Sequence, residues 1–359
     1  MNRKILSIAL SCLLTGTAVF SQSILSCSDP HIRYAGRTTL EGGAMLLAWP
    51  GTSVDLNFYG TGMKVRLKDE WGGNYYNIIL DGKIAGKLAV DSGTKDYTLV
   101  TGLTEGRHSL ELFKRTEWAM GRSWLVQFVA DGKGYLLDPP AAKKRKIEFY
   151  GNSITCGYAV EDSSGLDRGS SPYENGYISY AALTARHFDA DFRSISRSGI
   201  GILVSWFHQI MPELYDRLDP ADSSSKWDFS SYTPDIVIIN LFQNDSWLVN
   251  RPDHSEFKAR FGSTAPSAGQ IVEAYRAFVR SIRAKYPHVP IICALGNMDA
   301  TKAGAPWPGY IEQAVASLHD KDIYTHFFPY KNTAGHPNAK EQQAMADDLS
   351  AFITKTFHW

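Results

Sequence analysis

Between about residues 29 and 137, apolar and polar residues alternate in short runs, with turn signals roughly every ten residues. Val54–Phe58 and Met63–Leu67 alternate cleanly on either side of Tyr59-Gly-Thr-Gly62. Tyr75–Leu80 runs into Asp81-Gly82, a dipeptide suited to a two-residue hairpin turn. Tyr97–Val100, His108–Phe113 and Trp124–Val129 continue the series, the last ending at Asp131-Gly132. No segment there has the 3.6-residue period of an amphipathic helix. Many short strands at even spacing predict a β-sandwich of jelly-roll type over residues 29–138.

The pattern changes after Asp138-Pro-Pro-Ala-Ala142, which with Lys143-Lys-Arg-Lys146 marks a domain boundary. Ile147–Tyr150 reads as a short buried strand closed by Gly151-Asn152. Glu174–Phe188 is expected to be a helix, with Ile178, Ala181, Ala182, Ala185 and Phe188 on one face. Phe192–Ser196 is a strand, and the β-branched run Asp235–Asn240 is the mark of a parallel strand buried on both faces. Gln270–Lys285 is amphipathic, Val289–Leu295 is another buried strand, and a last helix begins near Asn338. This alternation predicts an α/β domain with a helix-covered parallel sheet over residues 146–359.

Ahead of both domains, Met1-Asn-Arg-Lys4 and the apolar Ile5–Phe20 have the form of a secretory signal peptide, residues 1–21. The protein is therefore expected to be exported, periplasmic or extracellular. Ile24-Leu-Ser-Cys27 loosely resembles a lipobox, and a lipidated Cys27 would tether the chain to a membrane. Once the signal is removed, Cys27, Cys156 and Cys293 remain, an odd count that leaves at least one free thiol. No His/Cys cluster has zinc spacing, and neither metal nor cofactor is implied. A net charge of zero removes the electrostatic case for nucleic acid as partner. Nine Trp and eighteen Tyr suit a protein that stacks sugar rings, although large β-domains also bury many aromatics.

The chemistry gathers at strand ends in the second half. Ser153 follows the first strand, where α/β sheets present groups to ligands, and is the candidate nucleophile. Gly201, Asn244 and His336 each follow a later strand or precede the last helix. A serine, a base and convergent N–H donors are what acyl transfer needs. Singly, each has a structural reading as turn, cap or packing residue. Trp247, just past Asn244, is a candidate sugar platform, with Trp206 and Trp307 weaker ones. In the sandwich, Trp71, Trp118 and Lys114-Arg-Thr-Glu117 are expected to be exposed, at a sheet edge, a domain interface or a saccharide contact.

Gly151-Asn-Ser-Ile-Thr155, Gly201, Asn244-Asp245 and His336-Pro337, in that order, resemble the motif blocks of the SGNH (GDSL-type) hydrolases. Tyr34-Ala-Gly-Arg-Thr38, Trp49-Pro-Gly51, Lys114–Glu117 and Glu174-Asn-Gly-Tyr177 extend the likeness to carbohydrate esterase family 2. The resemblance implies a β-sandwich before an SGNH domain, and an acetyl esterase acting on acetylated plant cell-wall poly- or oligosaccharide. Three positions depart from the pattern: Asn152 for Asp, Phe242 for Gly, and Thr333 where an acid is expected three residues before the histidine. The implied machinery is a Ser153–His336 dyad, with oxyanion donors from Ser153, Gly201 and Asn244. An SGNH lipase or thioesterase, and a carbohydrate-binding protein with a decayed site, remain the alternatives.

Overall fold

The computed structural model describes residues 22–359, so the expected signal peptide lies outside the described residues. Two six-stranded antiparallel sheets form the N-terminal sandwich. In one, Ala44–Leu47, Ser123–Ala130, Met63–Asp69 and Gly93–Val100 lie side by side; in the other, Ser53–Gly60, Gly106–Lys114, Tyr75–Leu80 and Lys83–Ala89 do. Alternation decides which side chains face inward. Leu56, Phe58, Val65, Leu67, Leu110, Leu112, Leu125 and Phe128 meet between the sheets. Asp81 and Gly82 both take positive φ, 49° and 76°, and close the expected hairpin.

Cys27 belongs to this core, its thiol donating to the Gly43 carbonyl at 3.3 Å. Lipid at that sulfur would require the thiol to leave the core and the paired strand Ser23–Ser26 to be cut away. Cys156 and Cys293 are also free and buried.

The second half carries a five-stranded parallel sheet in the order Ala190–Ser196, Arg145–Gly151, Ile236–Asn240, Ile291–Leu295, Ile323–Phe327. Its central strands are buried on both faces, so successive side chains enter two different cores. Val237, Ile239, Ile291, Cys293 and Leu295 pack under the helices Ala268–Lys285 and Trp307–Ala316. Ile236, Ile238, Ile292 and Ala294 pack under Tyr180–His187 and Ala339–Phe357. Each buried Val, Ile or Leu among them contributes about 1.5–3 kcal/mol of burial.

The expected helix Glu174–Phe188 is shorter at its start. Ser179 caps a helix that begins only at Tyr180, and the residues before it are two single turns of 3-10 helix. Glu174 and Asn175 are instead committed to the sandwich domain. Arg115 donates to the Glu174 carbonyl and to Asn77, whose amide in turn reaches Asn175.

The two domains are tied by buried polar contacts. Arg37 donates to the carbonyls of Tyr215 and Arg217 at 2.6 and 2.9 Å, and Trp49 donates to that of Leu218 at 2.8 Å. The expectation that Lys114–Glu117 and Trp118 are exposed is corrected here. All four residues of the charged run are at most 2% exposed, and Trp118 is 8% exposed, because another domain covers them. Trp71 is exposed as expected.

Candidate active site

Four loops meet at the carboxyl edge of the parallel sheet. Ser153 starts a single helical turn, Ser153–Cys156, directly after the strand Arg145–Gly151, second in the sheet. The strand order reverses direction around this strand, which is where open α/β sheets form a crevice. Asn152 caps the turn by accepting the Ile154 N–H at 3.1 Å. Asn caps as well as Asp does, so the departure at position 152 leaves this contact intact.

His336 stands two residues before Asn338, the cap of the last helix, whose start is fixed by a reciprocal Asn338–Glu341 capping box. Its Nε2 lies 2.9 Å from Ser153 Oγ. Its Nδ1 lies 3.0 and 2.9 Å from the two oxygens of Asp167, and its backbone N–H donates to Asp167 Oδ1 at 2.9 Å. The expectation of a dyad without a side-chain acid is thereby corrected: a carboxylate sits behind the histidine. It comes from the loop between the Ser153 turn and residue 172, not from the position before the histidine. Thr333, which occupies that position, donates to Glu341 instead.

Gly335 makes the approach of the loop possible. It has φ +68°, and a Cβ there would fall 3.0 Å from the Asp167 carboxyl carbon. The hydrogen bond to His336, opposed by partial burial, holds Asp167 below the usual carboxylate range. The Tyr158 ring lies against the imidazole with centroids 4.3 Å apart, and so closes its other side. Asp167 and Tyr158 are the site residues the motif reading lacked. Tyr158 lies three residues past the first motif, while nothing local singles out Asp167 among the acids of its loop.

On the oxyanion side the structure redistributes the expected donors. Asn244 is buried at the head of the helix Gln243–Leu248. The Trp206 indole N–H donates to its Oδ1 at 3.1 Å, and its Nδ2 donates to the Ile200 carbonyl at 2.8 Å. An indole nitrogen can only donate, which fixes the amide orientation and leaves Nδ2 a second N–H. Gly201 is not free to serve as a donor, because its N–H goes to Ser205 Oγ at 3.0 Å. Gly199, two residues nearer the strand end, has no protein acceptor for its N–H among the described residues, and neither has Ser153. Gly199 also takes φ +83° and faces Trp206, where a Cβ would come within 3.3 Å. It is the better-placed donor.

The loop bearing Gly199 is pinned from below. Asp245 accepts the N–H groups of Ile202, Leu203 and Val204 at 2.7–3.2 Å. Burial pushes its carboxyl up to about 6, against the pull of those backbone bonds. Phe242 adopts φ +86° where the motif has Gly. A bulky residue there costs of order 1–3 kcal/mol. Its ring offsets this by packing between Tyr275 and Trp307, with centroids 4.7 and 5.1 Å away.

The tryptophans separate. Trp307 is a core residue, 6% exposed beneath Phe242, and its reading as a sugar platform is corrected on that ground. Trp206 is 38% exposed beside Asn244. Trp247 is half-buried, its indole N–H held by Asp299 at 2.8 Å.

Comparison with known proteins agrees with this architecture. Residues 34–140 match the family model "Carbohydrate esterase 2 N-terminal", and residues 149–353 match "GDSL-like Lipase/Acylhydrolase family". The chain is 34% identical over 345 residues to the cellulase/esterase CelE of Acetivibrio thermocellus, covering 92% of this chain but only 40% of that protein's length. It is 25% identical over 358 residues to an acetylxylan esterase/glucomannan deacetylase of Cellvibrio japonicus, covering 97% of this chain and 95% of the relative. Among solved structures, a family two carbohydrate esterase from Clostridium thermocellum in complex with cellohexaose superposes with a TM-score of 0.81 at 34% identity, over 91% of this chain and 99% of that one. The chain belongs to the GDSL-like lipase/acylhydrolase family and, with a carbohydrate esterase 2 N-terminal domain ahead of that hydrolase domain, to the family 2 carbohydrate esterases.

Proposed function

We propose that the protein is an exported carbohydrate O-acetyl esterase that removes acetyl groups from xylan, glucomannan or their oligosaccharides. The observation that carries the reading is the aligned relay Ser153 Oγ, His336 Nε2, His336 Nδ1, Asp167, with steps of about 3 Å. His336 takes the Ser153 proton as Oγ attacks the acetyl carbonyl. The negative charge on the carbonyl oxygen is met by the N–H groups of Ser153 and Gly199 and by the Asn244 amide. Collapse expels the sugar alkoxide, which receives the proton from His336 and leaves an acetyl-enzyme. Water, deprotonated by His336, then attacks that ester, and acetate leaves as Ser153 recovers its proton. Asp167 holds the imidazole with Nδ1–H turned towards it throughout, so that Nε2 is the basic nitrogen.

The names of the Cellvibrio relatives favour acetylated xylan and glucomannan, and the cellohexaose bound by the solved relative favours a β-linked glycan in the cleft. Trp206 and Trp247 flank Asn244 and are the surfaces on which a sugar ring would rest. The signal-like residues 1–21 support the export part of this reading. No helix among the described residues is long and apolar enough to cross a membrane.

The test is acetate release from acetylated xylan, acetylated glucomannan and 4-nitrophenyl acetate, beside Ser153→Ala. Activity that disappears in the variant, and that falls from acetate to octanoate esters, is expected. Equal or rising activity on the long ester would point to a lipase. Activity that survives in Ser153→Ala would remove the serine mechanism.

A further inference from the structure

Glu117 belongs to the sandwich by sequence, yet its side chain is spent on the hydrolase domain. Its Oε2 accepts the backbone N–H of Ser198 at 2.6 Å, and Ser198 immediately precedes Gly199. The Cys156 thiol, at the end of the Ser153 turn, reaches the same oxygen at 3.8 Å. Glu117's own N–H donates to Glu174 Oε1 at 2.6 Å. Its neighbour Arg115 donates to the Glu174 carbonyl and to Glu161, at the two ends of the loop that carries Asp167. One short segment of the sandwich thus touches the nucleophile turn, the oxyanion loop and both feet of the acid-bearing loop.

These contacts are costly as plain adhesive. Glu117 and Glu174 are 2% and 0% exposed, and Lys114 beside them is wholly buried, its ammonium facing the carbonyls of Thr116 and Glu117. Glu174 Oε2 has no partner at all among the described residues. Burial, and next the charge of Glu117, push Glu174 well above the ordinary carboxylate range. Well-packed apolar residues commonly hold an interface as firmly as such a group of buried charges does. What they cannot supply is an acceptor aimed at one chosen N–H.

We propose that Glu117 is a positioning residue for the acyl-transfer site, its carboxylate fixing the oxyanion loop through the Ser198 N–H. The inference rests on the esterase reading above. It assigns the N-terminal domain a part in catalysis, separate from any sugar it contacts: it sets the place of the Gly199 donor.

The experiment compares Glu117→Ala and Glu117→Gln with Trp49→Phe, which loses an interdomain hydrogen bond to Leu218 instead. Hydrolysis of 4-nitrophenyl acetate by the full chain gives kcat and KM, and thermal unfolding gives Tm. A displaced donor is expected to lower kcat of Glu117→Ala about 10- to 100-fold, below the full loss of such a donor, with KM within about twofold. Glu117→Gln keeps an oxygen for Ser198 and should stay within about threefold of the parent. Trp49→Phe should lower Tm and leave kcat alone. If Glu117→Ala does not fold, Glu117→Asp keeps the charge but withdraws the acceptor by one methylene, and its kcat should fall likewise.

Parental kcat in Glu117→Ala or Glu117→Asp would overturn the inference and reduce the contact to interface adhesion. A Glu117→Gln variant as slow as Glu117→Ala would overturn the hydrogen-bond route. Neither result touches the esterase reading, which fails separately if the parent is inactive or Ser153→Ala is active.

Discussion

Asp167→Asn is the substitution that most directly tests the relay. In the parent, one carboxylate faces His336 Nδ1 with both oxygens, and Oδ1 also holds the histidine's backbone N–H. An asparagine offers one acceptor for two N–H groups, and its amide can donate to Nδ1 instead. That would select the imidazole tautomer with the proton on Nε2, where it cannot accept from Ser153. In the fully buried serine-protease template, this change costs about 10⁴ in kcat. Here the Asp167 side chain is 34% exposed, so water competes for both tautomers. The expected loss is therefore smaller, about 10²–10³ in kcat, or roughly 3–4 kcal/mol of barrier. KM should change little, because Asp167 does not reach the carbonyl. The assay is initial-rate hydrolysis of 4-nitrophenyl acetate and acetylated xylan, with Tm as a check on folding. A folded Asp167→Asn enzyme within threefold of the parent, beside an inactive Ser153→Ala, would refute the argument. Asp167 would then be a loop-docking residue, and His336 would work as a dyad after all.

Three further outcomes are expected. Asn244→Ala removes one side-chain oxyanion donor and should lower kcat about 10²–10³-fold with the fold retained; a near-parental kcat would leave the backbone donors alone in that role. Trp307→Ala should cost about 3–5 kcal/mol of stability, read from denaturant unfolding, because it empties the core around Phe242 rather than a sugar site. Glu111 lies directly opposite Asp55 on paired strands beside a groove of about 570 Å³ between the domains. Burial, and next Asp55, push its carboxyl up to about 7. The folded state thus holds this proton to higher pH than the unfolded chain, whose Glu titrates near ~4.3, so its stabilising effect is full below ~4.3 and is lost as pH rises. Glu111→Gln escapes the loss: it should match the parent near pH 4 and exceed it by about 1–3 kcal/mol at pH 8, as seen in Tm against pH. A gap that narrows with rising pH would contradict the sign.

The elements legible in the sequence are those whose burial follows a period. Val54–Phe58 and Met63–Leu67 alternate because one face of each strand meets the other sheet. Ile236–Ile239 is apolar throughout because helices cover both faces of that strand. Where burial has no period, the pattern was silent. Lys83–Ala89 is an almost wholly exposed edge strand, known only by its hairpin turn, and Ile323–Phe327 is the half-exposed edge of the parallel sheet. The helix Trp307–Ala316 was hidden by Pro308 and Gly309, which look like breakers. Proline in the first turn is tolerated because the N–H it lacks would have had no partner there.

The site divides along the same line. Ser153, Asn244 and His336 are each set by a short local motif at the end of an element, so their meeting could be anticipated from order alone. Asp167 could not, since its place depends on a loop that closes over His336 and Tyr158 and is anchored at both feet by another domain. Lys114–Glu117 is the sharper case. Four polar residues at a strand end look solvated whenever only their neighbours are considered, and the acids and backbone N–H that Arg115 and Glu117 meet across the interface stand 46–81 positions later in the chain. Arg37 and Trp49, from two other phrases on which the N-terminal family likeness rests, are buried against the hydrolase domain as well. In this half of the molecule, then, the motif residues report how the sandwich grips the catalytic loops, and a sugar-binding role for the sandwich has to be argued from different residues, Trp71 first among them.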